Sequence, residues 1–320
     1  MTAETMKPLS KILVPIDGSQ PSERAVFLTG CLAIALGSTV QQISLVHVLA
    51  GSYLRQHMAN IDIRAERVIE TDLFKRLREP FVEKQIMPLI DRAMEELKSL
   101  GVKIPVDWII LDGNPADKII ETAETNGYST IVIGRRGLSR VKEFLIGSVT
   151  SSILHRPHHP SVYVVGQMAI EDKICPVPSI LIPIDGSDCS MAAVKEACVF
   201  GSCLNHCLNK IILLRVIDLA TYEQKVRENG KGGPEKDAEE ILNKAYEILI
   251  NAGVPSNKVH KIAKYGWPAD TILDTAKNEE INLIIIGRYG RSALKDLVIG
   301  GVSSQVLHKA VDHTVAIVCG

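Results

Sequence analysis

The sequence predicts two tandem α/β domains, each a doubly wound parallel sheet of five strands with helices on both faces. Three observations carry that reading. The chain repeats itself: KILVPIDGSQPSERAV at 11–26 returns as SILIPIDGSDCSMAAV at 179–194, and LDGNPADKIIETA at 111–123 as KYGWPADTILDTA at 264–276. GRRGLSRVKEFLIGSVTSSILH at 134–155 returns as GRYGRSALKDLVIGGVSSQVLH at 287–308, with 11 of 22 positions identical. Short, continuous apolar runs recur in both copies, as in strands buried on two faces. Segments of helical periodicity separate them, and right-handed crossovers place those helices on both sides of the sheet.

In the first copy ILVPI is a strand, and PSERAVFLTGCLAIALG is the helix after it, with Ser19 as its N-cap. QISLVHVL is the second strand. The next helix ends in DRAMEELKSLG, where Gly101 stops it. PVDWIIL is the third strand; NPADKIIETAETN is a helix with Asn114 as N-cap and Pro115 in its first position. TIVIG, the helix SVTSSILH and the strand SVYVVG complete the copy. LIPI, IILLRVI, KVHKIAK, LIIIG and TVAIVC are the strands of the second. The repeat offset is 168 residues between Asp17 and Asp185 but 153 between Gly113 and Gly266, so the first copy carries a net insertion of 15 residues within 50–112. The charged stretch from Tyr53 to Met87 accommodates it. The domains are thus 8–166 and 179–320, and 167–178, with charges and two prolines, is an exposed linker.

Composition removes several function classes. Lys and Arg number 36 against 37 Asp and Glu, a net charge of −1, which is a poor basis for binding a polyanion. No apolar run approaches the roughly 18 residues that span a bilayer, and the start lacks a signal-peptide pattern. Seven scattered cysteines without a CxxC pair suit a reduced, cytoplasmic setting. Cys198, Cys203, His206 and Cys207 cluster, yet their spacing is not that of structural zinc sites, and small hydrophobes on a buried helix face account for them. No metal centre is expected.

The chemistry lies at two strand ends. After TIVIG come Gly134, Arg135, Arg136 and Gly137, then nine residues, then Gly147 and Ser148. Glycines three apart let the backbone turn and approach a ligand closely. Gly147-Ser148 opens a helix, so free N–H groups, the helix dipole and the Ser148 hydroxyl can converge on an anion. Tight turns and helix starts alone would also use these glycines; recurrence with the spacer intact favours the ligand reading. Asp17, in Pro15-Ile16-Asp17-Gly18-Ser19, ends the first strand and recurs as Asp185. It can accept hydrogen bonds from a base or sugar or hold Mg²⁺ beside phosphates, and it can also hold its own loop as an Asx-turn.

VPIDGS, LVHV, GNPAD and G-x2-G-x9-GS, in that order, resemble the universal stress protein family in its tandem two-domain form, across essentially the whole chain, twice. The resemblance implies strand order 3-2-1-4-5, binding of ATP or AMP, and pairing through the last strand; Mg²⁺ beside the phosphates of ATP is an expectation from the Asp17 carboxylate. By position, Ile16, Asp17 and Val48 would hold adenine and ribose, and Gly134, Arg136, Gly137, Gly147, Ser148, Val149 and Thr150 the phosphates. The matching positions are Ile184, Asp185, Val216, Gly287, Tyr289, Gly290, Gly300, Gly301, Val302 and Ser303. Gly301 replaces a hydroxyl residue and Tyr289 a cation, so the first site is expected to bind ATP better.

Catalytic patterns are scarce: the sequence shows no GxSxG elbow and no HExxH. His155 and His308 sit at matched helix C-termini, where histidine satisfies carbonyls. A nucleotide-binding stress regulator is therefore expected; the alternatives are an enzyme with slow ATP hydrolysis or phosphoryl or adenylyl transfer, and an interaction module with vestigial pockets. Expected partners are an adenine nucleotide, no nucleic acid and no membrane. SVYVVG and TVAIVC would pair within the chain as a pseudo-dimer, or with another chain as a homodimer.

Overall fold

A computed structural model of the chain describes residues 7–49, 78–136, 146–156, 159–167, 176–204, 207–218, 233–290 and 299–319. Expectations for Gly137, His206, residues 50–77 of the insertion and 168–175 of the linker fall outside these. The first copy contains β1 (Lys11–Pro15), α1 (Gln20–Leu36), β2 (Gln42–Leu49), α2 (Met87–Leu100), β3 (Val106–Asp112), α3 (Pro115–Thr125), β4 (Thr130–Gly134), α4 (Ser148–Leu154) and β5 (Ser161–Val165). The second contains β6 (Ser179–Pro183), α5 (Asp188–Cys203), β7 (Lys210–Ile217), α6 (Pro234–Asn251), β8 (Val259–Tyr265), α7 (Pro268–Asn278), β9 (Leu283–Gly287), α8 (Gly301–Lys309) and β10 (Thr314–Val318).

Local chemistry explains where these elements begin and end. Ser19 caps α1 by accepting from the Ser22 N–H at 3.3 Å, and Pro21 sits in the first turn, where its missing donor costs nothing. Asn114 Oδ1 caps α3, accepting from Ala116 and Asp117 N–H at 3.0 and 3.3 Å. Gly101 ends α2 at φ +92°, a left-handed conformation that glycine adopts without strain. A π-helical turn, Val82–Ile86, leads into α2.

The ten strands form one sheet of order β3-β2-β1-β4-β5-β10-β9-β6-β7-β8. Pairing is parallel within each half, which has the order 3-2-1-4-5. The halves join where β5 and β10 run antiparallel, with Ala316 opposite Tyr163. Alternate residues of one strand face different cores: Ile12 and Val14 enter the core beneath α1 and α2, and Leu13 enters that beneath α3 and α4. That explains why the central strands read as continuous apolar runs. The edge strands β3 and β8 differ, the first largely half-exposed and the second largely exposed, with Trp108 at 46% and Tyr265 at 48% exposure. At the sheet margins the covering helices leave one side open to water.

Cys198, Cys203 and Cys207 pack against the core around α5, and the Cys198 thiol donates to Val194 O at 3.4 Å. Burial pushes that thiol's pKa up, so it stays protonated. Among the described residues no group of three or more His, Cys, Asp or Glu side chains stands close enough to hold a metal. Nor is any described helix long and apolar enough to cross a membrane.

Candidate functional site

Strand order reverses at β1 and β4, so the crevice of the first half opens between their carboxyl ends. The β1 end is a built turn. Asp17 Oδ1 accepts from the Ser19 N–H at 3.0 Å and the Ser19 hydroxyl at 2.6 Å, while Gly18 takes φ +78°. Asp17 thus forms the Asx-turn that was one of its two readings. Asp185 repeats this with Ser187 at 3.0 and 2.6 Å, and Gly186 lies at φ +82°. His47, half-buried on β2, stands against Ile16 O at 2.8 Å through Nδ1. Burial lowers its pKa, which favours the neutral ring donating from Nδ1.

The β4 end is stapled to the helix that follows it. Gly147 N–H donates to Arg135 O at 2.8 Å, and the Thr150 hydroxyl to Gly134 O at 3.0 Å. In the second half Gly300 N–H reaches Arg288 O at 2.8 Å and the Ser303 hydroxyl Gly287 O at 2.7 Å. The described ends of each glycine segment, Arg135 with Gly147 and Arg288 with Gly300, therefore meet. The first ladder donor of α4 is Ser151 N–H, to Gly147 O at 2.8 Å. The N–H groups of Ser148, Val149 and Thr150 precede it and have no acceptor within the helix. Ser148 is exposed and Val149 half-buried at this mouth, and Gly301 and Val302 are exposed at the other.

The two ends meet. Ser19 Oγ lies 3.5 Å from Arg136 O, and Ser187 Oγ 3.4 Å from Tyr289 O. A Cβ placed on Gly290 would stand 2.5 Å from Asp185 Oδ2, so glycine is what lets the loop approach that carboxylate. Val48 is half-buried near the end of β2, and Val216 is 7% exposed at the matching place on β7. Ile16 and Ile184 are buried behind the turns.

Several of the predicted residues also hold the architecture around the crevice. A Cβ on Gly134 would meet the Pro21 backbone at 2.6 Å, and one on Gly287 the Cys189 backbone at 2.6 Å. These glycines let α1 and α5 lie against the strand ends. The hydroxyls of Thr150 and Ser303 are both committed to the staple. Any contact these residues make with an anion passes through their N–H groups.

Arg135 and Arg288, the other shared residues of the loop, escaped the sequence reading as individual actors. Each is nearly buried, at 2% and 1% exposure, and each crosses to the opposite half. The Arg135 guanidinium donates to Leu307 O at 2.5 Å, His308 O at 2.7 Å and Ala310 O at 3.2 Å, at the C-terminus of α8. Arg288 donates to Leu154 O at 2.7 Å and to Arg156 O at the C-terminus of α4, and reaches Cys319 Sγ at 3.1 Å. Their one visible signal was an identical Arg after the first glycine of both copies. His155 caps α4, its Nδ1 lying 2.7 Å from Ser151 O, and His308 lies in the last turn of α8.

This architecture defines a tandem doubly wound α/β protein with a stapled glycine loop at each switch point. The chain belongs to the universal stress protein family, whose profile matches residues 8–165 and again 177–318. It is 30% identical over 185 residues to a universal stress protein of Mycolicibacterium smegmatis, covering 56% of this chain and 58% of that relative's length. Universal stress protein Mb2028c of Mycobacterium bovis is 24% identical over 272 residues, 79% of this chain and 86% of that one. A solved universal stress protein from Archaeoglobus fulgidus superposes with a TM-score of 0.67 at 19% identity, covering 97% of this chain and 98% of that one.

Proposed function

We propose that the chain is a cytoplasmic, adenine-nucleotide-binding stress-response regulator with domains at 8–166 and 179–320 joined by 167–178, its first site the stronger. The carrying observation is that the Asp17 turn meets the backbone at Arg136 while the strand end beside it is stapled to the exposed helix start at Ser148. Orphan N–H groups and the helix dipole favour a phosphate there, without a cationic surface. Ile16, Asp17 and Val48 would face the nucleoside, and Arg136 would supply positive charge beside the phosphates of ATP, with Mg²⁺ as their counter-ion. AMP offers fewer phosphate oxygens, and the second site, with Gly301 and Tyr289, is better suited to it than to ATP.

A hydrogen bond to a charged group is worth about 1.5–3 kcal/mol, or roughly ten- to a hundredfold in affinity. The missing hydroxyl at Gly301 is the difference that such a donor would make. Titration of the whole chain with labelled ATP should show greater loss of binding in Gly147→Ala than in Gly300→Ala. Equal losses would remove the asymmetry. Purified protein that releases no nucleotide on denaturation and binds none in titration would end the nucleotide reading.

A further inference from the structure

Behind the Asp17 turn lies a second cavity, of about 430 Å³, between α1, α2 and the end of β5. Its size falls in the range of small-molecule sites, roughly 300–1,000 Å³. Val26 and Phe27 on α1, Leu89 and Ala93 on α2 and Val165 at the end of β5 give it apolar walls. Ionic side chains also line it. Glu23 is engaged by Arg92 at 3.3 Å. Arg24 makes no hydrogen bond or ion pair with any described residue, and its Nε is buried without an acceptor.

A buried N–H donor without an acceptor is costly, more so when charged, so a ligand that supplies the acceptor gains by relieving it. Guanidinium pairs best with a planar carboxylate, through two parallel bonds. The second half has no equivalent arrangement: the positions of Arg24 and Phe27 are held there by Ala192 and Lys195, and that of Gly166, another wall residue, by Cys319.

We propose that this cavity binds a medium-chain carboxylate, its head group on Arg24 and its chain along the α1 and α2 walls. The cavity borders the nucleotide crevice, with Ile16 and Gly18 in its lining, but its head-group residue, Arg24, has no part in nucleotide binding, and the proposal stands whether or not the crevice binds nucleotide. Glu96 on the α2 wall carries the opposing charge and sets the head group towards α1.

Calorimetric titration of the full chain with sodium octanoate, and with octan-1-ol as its uncharged homologue, tests this. One octanoate should bind per chain, with the alcohol about tenfold weaker or worse. Arg24→Gln should bring octanoate down to the level of the alcohol, Glu96→Gln should keep or tighten it, and the cavity-filling Ala93→Leu should weaken both ligands. Arg24 is half-exposed, so its variant answers the question even where the cavity-filling chain misfolds. Absence of octanoate binding to the unaltered chain overturns the proposal. So does equal affinity for acid and alcohol, or an unchanged affinity in Arg24→Gln.

Discussion

Glu196 carries its carboxyl group into the seam between the halves at 3% exposure, where Tyr163 OH donates to it at 2.8 Å and Ser161 Oγ at 3.2 Å. Burial raises its pKa to about 7, against the pull of those two hydrogen bonds. An unfolded chain releases this proton near an ordinary glutamate value of about 4.3. Between those values only the unfolded state gains by ionising. The stability is therefore fully present below about pH 4 and lost as pH rises through about 7. At about 1.36 kcal/mol per pKa unit the loss is on the order of 3 kcal/mol. Urea midpoints measured at about pH 5 and about pH 8 should fall more steeply for the unaltered chain than for Glu196→Gln. Parallel slopes would clear Glu196 of the effect. Little of this was legible beforehand, since a Glu on a helix looks like any solvated charge until its partner strand is known. Gly134 is similar: its glycine character was plain, but its close packing on Pro21 depends on tertiary contact.

Among helices and loops, the reciprocal arginines are the feature with most at stake. The last carbonyls of α8 are satisfied by Arg135, and the guanidinium also suits the negative end of the helix dipole. Burial lowers its pKa to about 10, which still leaves it charged at neutral pH. Arg135→Gln should cost about 2–5 kcal/mol in chemical denaturation, because buried carbonyls then lose a charged donor. Arg135→Lys should not restore it, as one ammonium cannot reproduce the fork. A change below about 0.5 kcal/mol would make the contact incidental. Element order, caps and helix stops were readable because Ser19, Asn114, Pro115 and Gly101 act on their immediate neighbours. The arginine partners were not, since they lie on the opposite copy, 172 to 175 residues away in sequence.

The sheet makes the two halves one body. Both core clusters contain residues of both copies, and β5 and β10 are fully or mostly buried. The unaltered chain should therefore melt in a single calorimetric transition. Ala316→Pro, which removes a backbone donor in a central strand, should split it into two. A single transition in the variant would mean that the halves are coupled by other contacts. The repeat made two doubly wound halves visible in advance. Whether β5 would meet its own chain or another could not be read, because strand pairing uses the same backbone groups in either case.

The antiparallel seam has one further consequence. A symmetric homodimer must present one surface to itself, so each substitution occurs twice across the axis. Here the position matching Glu196 is Leu28, and that matching Tyr163 is Ala316, all of them buried. A carboxyl–phenol pair therefore occupies one side of the pseudo-axis and an aliphatic pair the other. Covalent fusion has released this interface from self-complementarity, and its two sides are free to diverge.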